Sequence, residues 1–185
     1  MRISDETADQ FVKLYTKLMF FAGTQRNILP TYMTFKIFLA GEIEEKLACR
    51  QAIYQPRPIF DDFLIAGADK LSHADVAMVS SWKRFVFTPL VMYRHLKKYT
   101  VFLTTDETPT GYGVLGLSTE LGEMIPSAQL PMVVKTALLS IDGNIVCDGL
   151  LSTPKDGVSM DTDLRDHLNV AYKGLKAANQ FVTTL

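Results

Sequence analysis

Past Trp82 the spacing of apolar residues changes from about 3.6 to about 2, which divides the chain into a helical front and a sheet-forming remainder. Within that remainder, Leu138-Leu139-Ser140-Ile141-Asp142-Gly143-Asn144-Ile145-Val146-Cys147 places Asp-Gly between two apolar runs. That dipeptide supplies the two positive φ angles of a type I′ hairpin. A two-residue loop there sets Ile141 opposite Asn144 and Leu139 opposite Val146. Continued down the ladder, it puts Lys135 near Leu150, with Asp148 diagonal to it and within reach of an ion pair.

The strands before the hairpin are read the same way. Phe85 and Phe87 alternate with Arg84, Val86 and Thr88, and Pro89 marks an edge or a bend because proline cannot donate to a ladder. Val91 to Leu96 and Tyr99 to Leu103 flank Lys97-Lys98, and Tyr112 to Leu117 forms the next strand. Polar Thr104 to Thr110 reads as a loop, and Ser118 to Met124 as one helical turn.

Upstream, Thr7 and Gln10 have capping-box spacing, followed by Phe11, Leu14, Tyr15 and Leu18 on one face, with Gly23 as the stop. From Glu42 to Tyr54 the face of Ile43, Leu47 and Tyr54 is expected inward and Arg50 outward. Pro58 is placed to open a helix carrying Phe60, Phe63 and Leu64 inward. Ser72 and Asp75 form a second capping-box pair. A last helix, about Asp163 to Ala178, is acidic at its start and basic at its end, matching the helix dipole.

The whole chain of 185 residues carries a formal charge of −1, so it has no long-range field that would draw it to a polyanion or an anionic membrane. Residues 82–110, however, hold five Lys/Arg against two Asp/Glu. The two cysteines, Cys49 and Cys147, are too few and too far from histidine to suggest a metal site, and both read as reduced and buried. With no leader-like start and no long apolar run, a cytoplasmic setting without membrane contact is expected.

Arg94-His95-Leu96-Lys97-Lys98-Tyr99 is the only dense basic cluster, and with Trp82 it joins cations to aromatic rings. Such a face could grip a phosphate backbone and stack bases, whereas paired lysines at a turn also serve simply as solvated edge protection. Gly111-Tyr112-Gly113-Val114-Leu115-Gly116 fits G-x-G-x-x-G, but a polar loop precedes it and a strand-like run follows. A dinucleotide site requires a strand before and a helix after, so close strand packing is the better explanation. A catalytic reading would combine His95 with Cys147 or Asp148, yet the latter two point to opposite faces of one strand. Asp61-Asp62 and Glu44-Glu45 splay apart on helices and read as solvated faces.

Ser81-Trp82-Lys83, His95 to Leu103, Tyr112 to Gly116, Leu130-Pro131 and Asp148 to Leu151 together resemble a group of bacterial proteins of unknown function. The resemblance covers a little over half the chain and implies no catalytic residue. Asn179-Gln180 stands where those proteins tend to carry an aromatic-glycine pair.

The expected protein is α+β: a helical layer over 1–83, a small SH3-like antiparallel β-barrel over 84–157 and a closing helix over 158–185, in one compact domain. The leading functional expectation is a non-enzymatic binding or regulatory module without cofactor or metal. Its face of Trp82, Arg94, His95, Lys97, Lys98 and Tyr99 would meet a protein or a nucleic acid; separately, an exposed barrel edge could pair with a second copy of the chain. The alternative is a small hydrolase or transferase built on His95 with Cys147 or Asp148.

Overall fold

The first helix, α1 (Asp5–Gln25), buries Phe11, Leu14, Tyr15, Leu18 and Ala22, the stripe set by its 3.6 spacing. In the computed structural model, which describes residues 1–153 and 160–185, the chain forms two compact units. One comprises residues 6–83; the other comprises residues 1–5 with 84–185. The limit expected at 157/158 lies outside the described residues.

The helical unit continues with α2 (Phe35–Ala40), α3 (Ile43–Tyr54), α4 (Phe60–Ala66) and α5 (His73–Ser81). Gly23 does not stop α1. The helix runs past it and ends at Asn27 (φ 54°), where the Ile28 N–H bonds to the Gly23 carbonyl and the Asn27 N–H to that of Thr24. This is a Schellman ending with asparagine in the left-handed position. Gly23 is small for another reason: a Cβ there would lie 2.4 Å from Cys49 Sγ and 2.9 Å from Leu29.

Thr7 falls inside α1, so it cannot cap it, and Gln10 instead donates to Asp75 Oδ1 at 2.9 Å. The second box forms as expected: Ser72 Oγ accepts from the Asp75 N–H and Asp75 Oδ2 from the Ser72 N–H. Pro58 lies before the N-cap Ile59 of α4 rather than at its first position. In α3 the inward face is Cys49, Arg50, Ala52, Ile53 and Tyr54, while Ile43 is exposed. The helix is thus rotated from the expected orientation and takes Arg50 inside.

The second unit contains β1 (Phe85–His95), β2 (Thr100–Thr104), β3 (Gly111–Leu115), α6 (Leu121–Met124), a 3-10 turn (Ser127–Gln129), β4 (Met132–Ile141), β5 (Asn144–Cys147) and α7 (Thr162–Ala178). The strands close in the order β1-β2-β3-β5-β4, with β4 returning to β1. Four pairings are antiparallel and β3–β5 is parallel, which corrects the expectation of an all-antiparallel barrel. The reason is parity. A closed ring of five strands cannot alternate direction all the way round, so one seam must be parallel.

The hairpin holds the expected register from Ile141↔Asn144 to Leu138↔Cys147, with Asp142 at φ 49° and Gly143 at φ 74°. Below Cys147 the register changes. Lys135 pairs with Ser152 instead of Leu150, because the chain kinks at Gly149 (φ 79°). Asp148 turns to accept from Thr136 Oγ1 and the Leu150 N–H, and Lys135 Nζ lies 5.3 Å from the Phe87 ring centre.

Pro89 sits inside β1 opposite Lys135, whose own N–H and C=O both go to Ser152. The pair is therefore a non-hydrogen-bonded one, and the proline nitrogen faces the side where β2 has already ended at Thr104.

One face of the strands gathers Leu90, Met92, Phe102, Val114, Val134, Leu138, Ile145 and Cys147 into the barrel interior. The opposite face, Val91, Tyr93, Val101, Leu103 and Val133, is covered by Leu168 and Tyr172 of α7. Asp161 Oδ1 caps α7 by accepting the Leu164 N–H. Asn179 (φ 53°) ends it with the Gln180 N–H on the Leu175 carbonyl, so the sequence's asparagine serves as well as glycine.

Candidate functional site

The six residues expected to share one face lie in four places. Trp82 is fully buried in the helical unit, its ring against Phe11 at 5.1 Å and Tyr15 at 5.7 Å, so it presents nothing to a partner. Arg94 and His95 line a cleft of about 460 Å³ with Tyr93, Ser127, Leu130, Pro131, Arg165 and Asn169. Lys98 and Tyr99 line another, of about 530 Å³, with Phe181, Asn144 and Asn179 among its walls. Lys97 is exposed on the turn joining β1 to β2.

A bulge creates the first cleft. The β1–β2 register slips between Met92 and Arg94, so that Arg94 pairs with Val101, on the face covered by α7. Strict alternation after inward Met92 and outward Tyr93 would have driven Arg94 into the apolar interior. The extra residue re-aims it outward beside Tyr93. Its guanidinium then rests 5.4 Å from the Tyr172 ring centre, a cation–π contact that orients it.

From the other wall, α7 contributes Arg165 and Asn169, four residues apart and therefore on one helix face. Tyr93, whose phenol burial pushes up, donates its hydroxyl to Asn169 Oδ1. That bond occupies the amide oxygen and leaves the Asn169 NH₂ as a donor. Among the described residues neither Arg94 nor Arg165 takes part in an ion pair and no carboxylate lines the cleft. Two guanidiniums, an amide and the Ser127 hydroxyl make a surface of donors, suited to an anion.

His95 is held from both sides. Its Nε2 lies 2.8 Å from the Ile125 carbonyl, which can only accept, so that nitrogen carries the proton; Nδ1 lies 2.8 Å from Thr100 Oγ1 and accepts the hydroxyl proton in the neutral ring. Both nitrogens are thus engaged in tying β1, β2 and the segment after α6. Cys147 is enclosed in the barrel interior, and burial pushes its thiol up to about 12, so it carries no thiolate at neutral pH. Asp148 accepts from Thr136 at 2.7 Å in a buried position. These surroundings give the pairing of His95 with Cys147 or Asp148 no support.

The glycine-rich run is strand β3 and no helix follows it directly. At Gly113 the Tyr99 ring lies where a Cβ would be, at 2.9 Å, which accounts for glycine there without a phosphate.

The chain matches no protein-family model, no curated protein and no solved structure. Among the described residues no group of three or more His, Cys, Asp or Glu is placed to hold a metal ion, and no helix is long and apolar enough to cross a membrane.

Arg165, Asn169 and Ser127 were not among the expected site residues. The Arg-x-x-x-Asn spacing on a capped helix was visible, but nothing in sequence linked that helix to β1. For Arg94 a signal did exist: a charge at the inward phase of an apolar strand implies a bulge.

Proposed function

We propose that the barrel unit is a recognition module of the small SH3-like kind that takes an anionic group of a partner molecule into the cleft between β1 and α7. The observation that carries this reading is the cleft's lining, which among the described residues includes two arginines without carboxylate partners and no acidic side chain. Arginine suits the role because its planar fork binds oxyanions bidentately and loses little freedom in doing so. No nucleophile or available base is needed, and His95 serves as a brace. The free, buried cysteines fit a reducing cytoplasmic compartment. The segments shared with the bacterial group of unknown function are taken as marks of membership, which brings no activity with it.

The test is a titration of the protein with sodium acetate and with sodium phosphate at constant ionic strength, followed by backbone amide shifts. Perturbations should be confined to residues 93–95, 127–131 and 165–169, and should vanish in the R94Q/R165Q double variant. Shifts scattered over other exposed cations such as Lys97 and Lys173 would overturn the reading.

A further inference from the structure

We infer that the group seated between Arg94 and Arg165 is a single phosphate monoester, borne by a small molecule or by one phosphorylated side chain. The inference rests on the reading of this cleft as an anion site and adds the identity of the anion. Charge balance comes first. Two guanidiniums line the cleft, and among the described residues no acidic side chain lines it with them. One carboxylate would be satisfied by a single fork and would leave the second cation uncompensated, whereas a monoester carries about −1.5 to −2 at neutral pH and three terminal oxygens. Two forks plus the Asn169 amide and Ser127 hydroxyl match those oxygens in number and polarity.

Size is the second argument. At about 460 Å³ the cleft exceeds a bare phosphate and falls within the range of small-ligand sites. Leu130 and Pro131 form an apolar wall against which the carbon part of an ester can lie.

The third argument separates one monoester from a nucleic-acid backbone. By sequence the barrel unit holds ten Lys/Arg against eleven Asp/Glu, so it offers no field for a polyanion. Arg165 is flanked on α7 by exposed Asp161, Asp163 and Asp166, which repel any chain of phosphates extending past the cleft. Lys97 is exposed on the β1–β2 turn, and Lys98 beside it lines the other cleft.

The experiment is calorimetric titration of the full chain with four probes: phenyl phosphate, a tripeptide carrying phosphoserine, benzoate, and a single-stranded oligonucleotide. Both phosphate monoesters should bind at least about tenfold more tightly than benzoate, and R165Q should weaken them by about tenfold or more. R94Q should act likewise, with R94K recovering part of the loss. Tighter binding of phenyl phosphate or of the phosphopeptide identifies the source, and either supports the inference. Arg165 is exposed, so R165Q tests the point even if R94Q, which loses the Tyr172 contact, unfolds; circular dichroism checks each variant. Benzoate binding as tightly as the monoesters would overturn the phosphate assignment and leave the anion reading standing. No binding by any anion would overturn both. An oligonucleotide binding more tightly than the monoesters, with affinity falling steeply as salt rises, would replace the inference with a nucleic-acid site.

Discussion

Gly23 and the two cysteines show how a single position is decided by its neighbours. Helix propensity favours alanine over glycine by about 1 kcal/mol, yet a Cβ at 23 would meet Cys49 Sγ at 2.4 Å. Overpacking of a rigid core costs about 1–3 kcal/mol, so Gly23→Ala is expected to lower stability in urea denaturation. In a Cys49→Ala background the same substitution should cost less, since the obstructing sulfur is gone. The thiols make a second prediction. Burial, with Glu45 adding to it, holds Cys49 up at about 11 and Cys147 is higher still, against an ordinary value of 9.0. Both are therefore protonated in the folded protein and should resist a thiol reagent at pH 8 until denaturant is added. Above pH about 9 the unfolded chain releases protons that the folded one keeps, so stability falls as pH rises from there toward 11. At this scale sequence was a partial guide. It marked both cysteines as reduced and buried, but it set Trp82 and Arg50 on the wrong side of their surfaces, because neither closeness in sequence to charge nor a helix face drawn through three apolar residues says what a ring or an aliphatic stem packs against.

Elements were legible where chemistry fixes local geometry. Asp142-Gly143 dictated a turn, and the turn dictated the pairing as far as Cys147; beyond it the kink at Gly149 was invisible, because a lone glycine in a strand does not announce its φ. A Cβ at Gly143 would meet nothing within 4 Å, so Gly143→Ala tests backbone strain alone. It should cost about 1–2 kcal/mol, with the hairpin register unchanged by amide shifts. Ser72→Ala removes one bond of the reciprocal cap of α5 and should cost about 1 kcal/mol, measured as a lowered thermal midpoint. The Asp75 carboxyl in that cap is held below its usual value, chiefly by the Gln10 amide. Its contribution is present above the unfolded value and is lost as pH falls through the folded one, so Ser72→Ala and wild type should both lose stability on acidification. The β1 bulge belongs to this scale too. The phase of Leu90, Val91, Met92 and Tyr93 leaves Arg94 on the wrong side, and only a slipped register resolves the conflict.

For the molecule as a whole, α+β was readable from one change of period and a small barrel from the short strands that follow it, while the parallel seam was not, because it depends on a pairing far apart in sequence. Counting would have helped, since an odd ring forbids uniform alternation. Charge acts at this scale as well: the ion pairs Met1–Glu120, Arg2–Asp5, Arg57–Asp62 and Lys83–Asp61 all involve solvent-exposed groups. Such pairs contribute little and are readily screened. Raising sodium chloride from about 0.05 to 0.5 M should therefore shift the thermal midpoint by no more than about 2 °C, whereas anion binding at Arg94 and Arg165 should weaken over the same range.

The parallel seam also governs how the barrel is assembled during synthesis. Strands β1, β2 and β3 leave the ribosome first and can form a three-stranded sheet, but β1 and β3 both keep a vacant edge. The β4–β5 hairpin then enters as a single wedge, its first strand docking on β1 and its second on β3. Closure must therefore wait until Cys147 has cleared the exit tunnel, and a nascent chain arrested before that point presents two sticky borders to its neighbours.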